Sequence, residues 1–284
     1  MQCPHVAIII RTFNEEKHIK KLLEACFSQM TSYSFEVVVV DSGSTDNTLD
    51  IIKNYPVILV NIDSSDFTYG RALNIGARKS SGTIGVCVSA HCFPSDKFWL
   101  EELVRPFEDQ NIAMVYGRQM GDSRTKFSEE QIFQQFFPEK RKNSNNAIFS
   151  NNANSAFRRS CWESTPFDES LPGLEDIDWA KKMSDSGKNI FYAPKACVYH
   201  IHEETYAQVY KRYYREALGL KTIYPDSAFN FMSFVSKFIL HTFLDSVEAL
   251  KKKAFWDHLI SIFCFRYCQF AGTMSAYKND GREK

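Results

Sequence analysis

The 284-residue chain balances 34 Lys and Arg against 34 Asp and Glu, so its formal net charge is zero and no global attraction for nucleic acid is expected. Its length suits one large domain, or one domain with an appendage, and allows a sizeable core. Eight cysteines are scattered, with no Cys-x-x-Cys pair and no zinc-type Cys/His spacing, which reads as reduced core thiols rather than a disulfide framework or zinc site.

At the N-terminus, MQCPHVAIIIRTFNEE contains a short apolar run that Arg11 breaks. It is too short for a secretory signal and far short of the ~20 apolar residues of a membrane span, so the expected location is cytoplasmic. The run at 6–10 and those at 37–40, 57–60, 84–88 and 112–116 are rich in Val and Ile and predict strands covered on both faces. Helix-period stretches lie between them. Ile19, Leu22, Leu23, Cys26 and Phe27 form one stripe, with Asn14 as its candidate N-cap. A second helix is expected from about Thr45 through Leu49, Ile51 and Ile52, a third through Ala72, Leu73 and Ala77, and a fourth through Phe98, Trp99, Leu103 and Val104. The alternation predicts an α/β fold, a mostly parallel open sheet with helices on both faces, whose ligands bind beyond the carboxyl ends of the strands.

Between 119 and 150 the pattern fails: the segment is polar, carries the basic run Lys140-Arg141-Lys142 and ends in asparagines, as expected of a long excursion with one short helix. After Tyr206 the sequence turns aromatic and basic and predicts a C-terminal helical appendage. Its Tyr206, Tyr210, Lys211 and Arg212, then Lys251-Lys252-Lys253 and Phe255-Trp256, suit either peripheral contact with a membrane interface or packing on the catalytic domain or another subunit of a homo-oligomer.

The strand ends carry the chemistry. The first run leads into Arg11-Thr12-Phe13-Asn14-Glu15, the second into Asp41-Ser42-Gly43-Ser44-Thr45. An aromatic ring, carboxylates and small hydroxyls converging there could stack a base, bond its edge and hold a ribose; Asn14, Ser44 and Thr45 could equally be helix caps. Dehydrogenases and methyltransferases of the Rossmann type also place an acid after the second strand, but they need a Gly-rich turn after the first, and RTFNEE has no glycine. Further on, Glu175-Asp176-Ile177-Asp178 offers close carboxylates at a helix start. Such a pair can take a proton from an attacking hydroxyl or merely complement the helix dipole.

These segments resemble a known family. IIIRTFNEE, VVVVDSGSTDNT, FTYGRALNIGARKSSGTIGVCVSAH and GLEDIDWAKKMSDSGKNIFYAPKACVYHIH, taken in order over residues 6–202, are similar to the GT-A glycosyltransferases of family 2. The resemblance implies that Thr12, Phe13, Asn14 and Glu15 line the nucleotide pocket, that Asp41 contacts the base, and that Arg71 and Asn74 lie near the ribose and diphosphate. It implies that Asp176, beside Glu175, is the base of an inverting displacement, with Asp178 structural or acceptor-contacting. Asn154 and Arg158, with Asn152, read either as sugar or diphosphate ligands or as turn formers and surface charge; Trp162 reads as an acceptor wall or as core.

Family members commonly hold a divalent metal with an Asp-x-Asp motif. By position that motif is Ser89-Ala90-His91 here. His91 with His200 or His202 would make a partly imidazole site favouring Mn2+ over Mg2+, the alternation of His200 and His202 allowing one to face it. The rival is metal-independent chemistry, with fixed positive charge facing the diphosphate. The implied partners are a nucleoside-diphosphate sugar, UDP-linked first and dTDP-linked rhamnose next, and a saccharide or lipid-linked saccharide acceptor, at the inner face of the membrane for the latter. The implied division is a catalytic domain at 1–204, with 1–118 binding the donor and 119–204 the acceptor, and a helical region at 205–284. A non-catalytic nucleotide-sugar-binding relative is the alternative, one for which the GLEDIDW motif has no use.

Overall fold

A computed structural model describes residues 5–140 and 148–278. Arg141 and Lys142 of the basic run lie outside the described residues. In chain order the elements are β1 (Val6–Thr12), α1 (Ile19–Phe27), β2 (Phe35–Asp41), α2 (Thr48–Ile52), β3 (Ile58–Asn61), α3 (Tyr69–Lys79), β4 (Ile84–Ser89), β5 (Cys92–Pro94) and α4 (Trp99–Val104). They continue with β6 (Ile112–Met120), α5 (Phe127–Phe136), β7 (Asn154–Arg158), α6 (Arg159–Ser164), α7 (Glu175–Asp185), β8 (Asn189–His200), α8 (Tyr206–Ile223), α9 (Phe231–Lys251) and α10 (Phe255–Lys278).

The chain divides into two compact units. One comprises Met1–Met120, Phe137–Ser170 and Glu175–Ile201; the other comprises Gly121–Phe136, Leu171–Leu174 and His202–Lys284.

The eight strands among the described residues belong to the first unit and form one sheet in the order β3-β2-β1-β4-β7-β6-β8-β5. The pairings from β3 to β4 and between β6 and β8 are parallel, whereas β7 runs antiparallel to β4 and β6, and β5 antiparallel to β8. The Val/Ile runs at 6–10, 37–40, 84–88 and 112–116 are buried on both faces as expected, whereas the run at 57–60 forms the edge strand β3, whose Ile58 is 39% exposed, because an edge strand is covered less than a central one. Ile8, Ile10, Val37 and Val39 pack with Leu22 and Leu23 of α1, while Val38 and Val40 meet Ala72 of α3 on the other side. Each such side chain contributes roughly 1.5–3 kcal/mol on burial. The strand register then sets the site: Thr12 lies opposite Asp41 in β2, and Arg11 opposite Ser89 in β4.

Two glycines matter locally. Gly43 has φ 87°, which lets the chain turn at once after β2. Gly70, in the first turn of α3, packs so closely on the 168–169 backbone that a Cβ would stand 2.3 Å from the Asp168 carbonyl oxygen.

The second unit is helical. Thr205 and Gln208 form a capping box at the start of α8. Arg266 of α10 makes a bidentate pair with Asp245 of α9 at 2.8 and 2.9 Å, each side chain being 4% exposed. No helix among the described residues is long and apolar enough to cross a membrane. The seven described cysteines are free thiols, and burial pushes those of Cys26 and Cys87 up to about 12.

Candidate active site

The loops after β1 and β2 are bonded to each other. Asn14 adopts φ 53°, its backbone N–H donates to Ser44 Oγ at 2.9 Å, and its Oδ1 accepts the Thr45 N–H at 2.8 Å. It therefore does not cap α1, whose cap position is His18 with no side-chain bond. The cap expectation fails because Asn14 is drawn into a cross-loop contact that only the tertiary fold supplies. Glu15 N–H donates to Thr48 Oγ1 at 2.8 Å. Asp41, 1% exposed, accepts the N–H groups of Gly43 and Ser44 at 2.9 Å and the Ser44 hydroxyl at 2.5 Å, so its carboxylate holds the β2–α2 turn in shape. Phe13 is 52% exposed beside this pair of loops, and the buried Thr12 hydroxyl has no hydrogen-bond partner among the described residues.

The acidic motif opens α7. Leu174 enters it with φ 63°, a left-handed conformation that a non-glycine residue adopts at a cost of ~1–2 kcal/mol. Glu175 and Asp176 are 3% and 7% exposed. Glu175 Oε1 takes Arg11 Nη1 at 3.0 Å and Asn152 Nδ2 at 3.2 Å. Asp176 Oδ2 accepts the Asn152 N–H and Oδ1 the Ile177 N–H, both at 2.8 Å. Arg11 also lies over the Tyr69 ring, 5.0 Å from its centre. Burial first, and then repulsion from Glu175, push the Asp176 carboxyl up to about 7, with the two N–H bonds and Arg11 pulling the other way. The arrangement is a buried carboxyl able to take up a proton near neutral pH. In the sequence Arg11 reads as the residue that ends an apolar run, because its partner lies 164 residues away.

Two predicted metal ligands meet at the ends of β4 and β8. The rings of His91 and His200 stack with centres 5.2 Å apart and planes at 20°. His91 Nδ1 lies 2.7 Å from Glu15 Oε1, and His200 Nδ1 lies 2.7 Å from Gln119 Oε1, whose amide is in turn bonded to Asn151 at 3.0 Å. Both partners accept, so each neutral ring carries its hydrogen on Nδ1 and its lone pair on Nε2, the arrangement by which histidines are oriented toward metals. Two imidazoles so oriented are a donor set suited to a divalent cation. His202 lies in the second unit, where its Nδ1 sits 2.7 Å from Glu129 Oε1, with Arg212 bonded to the same oxygen at 2.7 Å. Glu129, His202 and Glu204 form a second group with metal-ligand spacing, but one whose two carboxylates already bind Arg212.

The remaining expected site residues are occupied by the protein itself. Asn74, 1% exposed, bonds Trp162 Nε1–H at 2.8 Å, the Phe167 carbonyl at 2.9 Å and Glu169 at 2.9 Å, and Arg71 pairs with Glu169 at 3.3 Å. Those contacts fix the loop after α6 on α3, and Trp162 is core. Asn154 accepts the Trp99 indole N–H and donates to the Arg118 and Ala196 carbonyls, tying α4, β6 and β8 to β7. Arg158 donates to the carbonyls of Ile112, Phe107 and Asp109. Asp178 pairs with Lys182 one turn on, at 2.7 Å.

Comparison with known proteins identifies the framework. The family described as glycosyl transferase family 2 matches residues 7–164. The chain belongs to this family. It is a glycosyltransferase. It is 28% identical over 222 residues to the O-antigen chain rhamnosyltransferase RfbN of Salmonella typhimurium, covering 74% of this chain and 70% of that one. It is 24% identical to the glycosyltransferase AglE of Haloferax volcanii, over 96% of each. Among solved structures, the mannosyltransferase PcManGT of Pyrobaculum calidifontis, in complex with GDP-Man and Mn2+, superposes with a TM-score of 0.70 at 17% identity over 99% of this chain and 89% of that one. Glucosyl-3-phosphoglycerate synthase of Mycobacterium tuberculosis, with Mn2+ and UDP, gives 0.59 at 17% identity over 79% and 81%. At these identities the likeness establishes the GT-A fold.

Proposed function

We propose that this glycosyltransferase moves a sugar, with inversion, from a nucleoside-diphosphate donor to a hydroxyl of a saccharide or lipid-linked saccharide, with Asp176 as the base. The observation that carries the reading is the Asp176 carboxyl, buried beside Glu175 and pushed up to about 7. The acceptor oxygen attacks the anomeric carbon, the bond from that carbon to the diphosphate oxygen breaks, and the hydroxyl proton passes to an Asp176 oxygen. Arg11 and Asn152 hold Glu175, and the Asn152 N–H orients Asp176, so the base is preorganised.

On the donor side, Phe13 offers an exposed ring for the base and the orphaned Thr12 hydroxyl a polar group for a ligand to satisfy. Asp41 supports this pocket by shaping its turn. His91 and His200 would hold a divalent cation, Mn2+ in preference to Mg2+, which when bound supplies charge to stabilise the departing diphosphate. The two rhamnosyltransferase relatives, at 28% identity, support a deoxyhexosyl donor ahead of a UDP-hexose.

The test is product analysis with a panel of dTDP-rhamnose, UDP-hexoses and GDP-mannose in the presence of Mn2+. Transfer from one donor with inverted configuration is expected, and Asp176→Asn is expected to lose transfer while still binding that donor. Normal turnover in Asp176→Asn would remove the assignment.

A further inference from the structure

The second unit exposes an apolar face that its own packing does not use. On α9, Met232, Ile239, Leu240, Phe243, Leu244 and Leu250 are each more than half exposed. At 100° per residue they share one side of the helix, opposite the buried Asp245 and Ala249. On α10, Trp256, Ile260, Phe263 and Tyr267 recur at helical spacing and are 82%, 77%, 52% and 51% exposed. The two helices pack on each other through the opposite side of α9, where Phe238 meets Phe263 edge-on at 5.1 Å and Tyr267 at 6.3 Å, so each helix presents its own stripe on the same hairpin. A soluble monomer rarely leaves so many large apolar side chains exposed on one helical hairpin without a use for them.

The charges around the patch indicate what covers it. The end of α9, the turn and the start of α10 read Lys251-Lys252-Lys253-Ala254-Phe255-Trp256, with all three lysines exposed, and Lys237 adds a fourth cation on α9. Against them stand Glu248, 3.2 Å from Lys251, and Asp257; Asp245 is buried and consumed by Arg266. A chain of zero net charge thus gathers excess positive charge beside its greasiest surface. Lysines at the rim, an aromatic pair beside them and aliphatic side chains between form the pattern of a helix lying in a lipid interface.

We propose that the α9–α10 hairpin is a peripheral membrane-docking face that seats on anionic lipid headgroups, inserting Trp256 and Ile260 and holding the surface through Lys251, Lys252 and Lys253. This rests on the second unit alone and stands or falls independently of the assignment of the base.

The test is flotation of the full chain with vesicles of phosphatidylcholine alone and with roughly 30% phosphatidylglycerol, together with sedimentation analysis of its oligomeric state. The parent chain is expected to float with the anionic vesicles, less so as salt rises and the field is screened. Changing all three lysines to Gln is expected to lower the partition coefficient about 100-fold on anionic vesicles, at ~1 kcal/mol per cation near the surface. Trp256→Glu with Ile260→Glu is expected to remove binding to both kinds of vesicle; melts followed by circular dichroism check that these variants fold. Absence of flotation by the folded parent chain overturns the proposal. So does a dimer that Trp256→Glu with Ile260→Glu dissociates in a chain that ignores vesicles, since the face would then be an interface between copies.

Discussion

Arg11 Nη1 stands 3.0 Å from Glu175 Oε1, joining the end of β1 to the start of α7 in a pair whose side chains are 13% and 4% exposed. The guanidinium thus sits beside one acid of a buried pair and leaves its neighbour, Asp176, to titrate. Removing either charge should move that titration in opposite directions. Glu175→Gln removes repulsion and should shift the acid limb of kcat/KM to lower pH. Arg11→Met removes attraction and should shift it to higher pH, with a loss of stability of ~3–5 kcal/mol from the uncompensated acid. Both are read from pH–rate profiles; shifts of the same sign would show that Asp176 does not carry the limb.

Stability should report the same carboxyl without any substrate. Its ordinary value is 3.8 and its folded value about 7, so over that interval the folded chain keeps a proton that the unfolded chain has released. The stabilisation this brings is present below about pH 4 and is lost as pH rises through 7. Asp176→Asn has no such proton to lose. The melting temperature of the variant minus that of the parent should therefore climb with pH across this window and level off above it; a constant difference would contradict the raised value.

The histidine pair should bind metal through Nε2, with Glu15 and Gln119 fixing the rings. Mn2+ is expected to raise the melting temperature of the parent and to support transfer that a strong chelator abolishes. His91→Ala and His200→Ala should each lose the thermal shift, and Glu15→Gln should weaken Mn2+ binding by roughly 10–100-fold. Transfer indifferent to chelation, with no Mn2+ shift in the parent, would instead assign the pair to metal-independent charge stabilisation.

In the helical unit, Arg266→Met should cost ~3–5 kcal/mol by leaving Asp245 buried and unpaired. The double change Arg266→Met with Asp245→Leu should recover most of it, because the desolvated charge goes as well. Denaturant melts of the three proteins measure both effects; equal losses in the single and double variants would mean that packing rather than charge sets the cost.

Much of the framework was legible because it follows from local pattern. The runs beginning at Val6, Val37, Ile84 and Ile112 are strands, since residues apolar on both faces fit only a covered sheet, and the stripe of Ile19, Leu22, Leu23 and Cys26 is α1. The ordered motifs identified the family, and the singular His91 identified the place where an acidic metal motif was absent. Less legible were β7, whose polar Asn154 and Ser155 give no strand signal, and the loops after β1 and β2, where Asn14 and Asp41 look like cap and ligand but both bond the turn after β2, Asn14 from across the loop and Asp41 from its own strand end.

The sequence by itself thus determined the fold class, the family and the residue types at the strand ends, because these depend on periodicity and on short motifs that survive any rearrangement of distant partners. Only the tertiary structure decided what each of those residues touches. It set Arg11 on Glu175, laid His200 against His91, spent Asn74, Asn154 and Arg158 on holding the scaffold, and buried Asp176 deeply enough to raise its titration. Burial and long-range pairing are properties of the folded interior, where a removed water shell and a neighbouring charge shift a group far more than any adjacent residue in the chain.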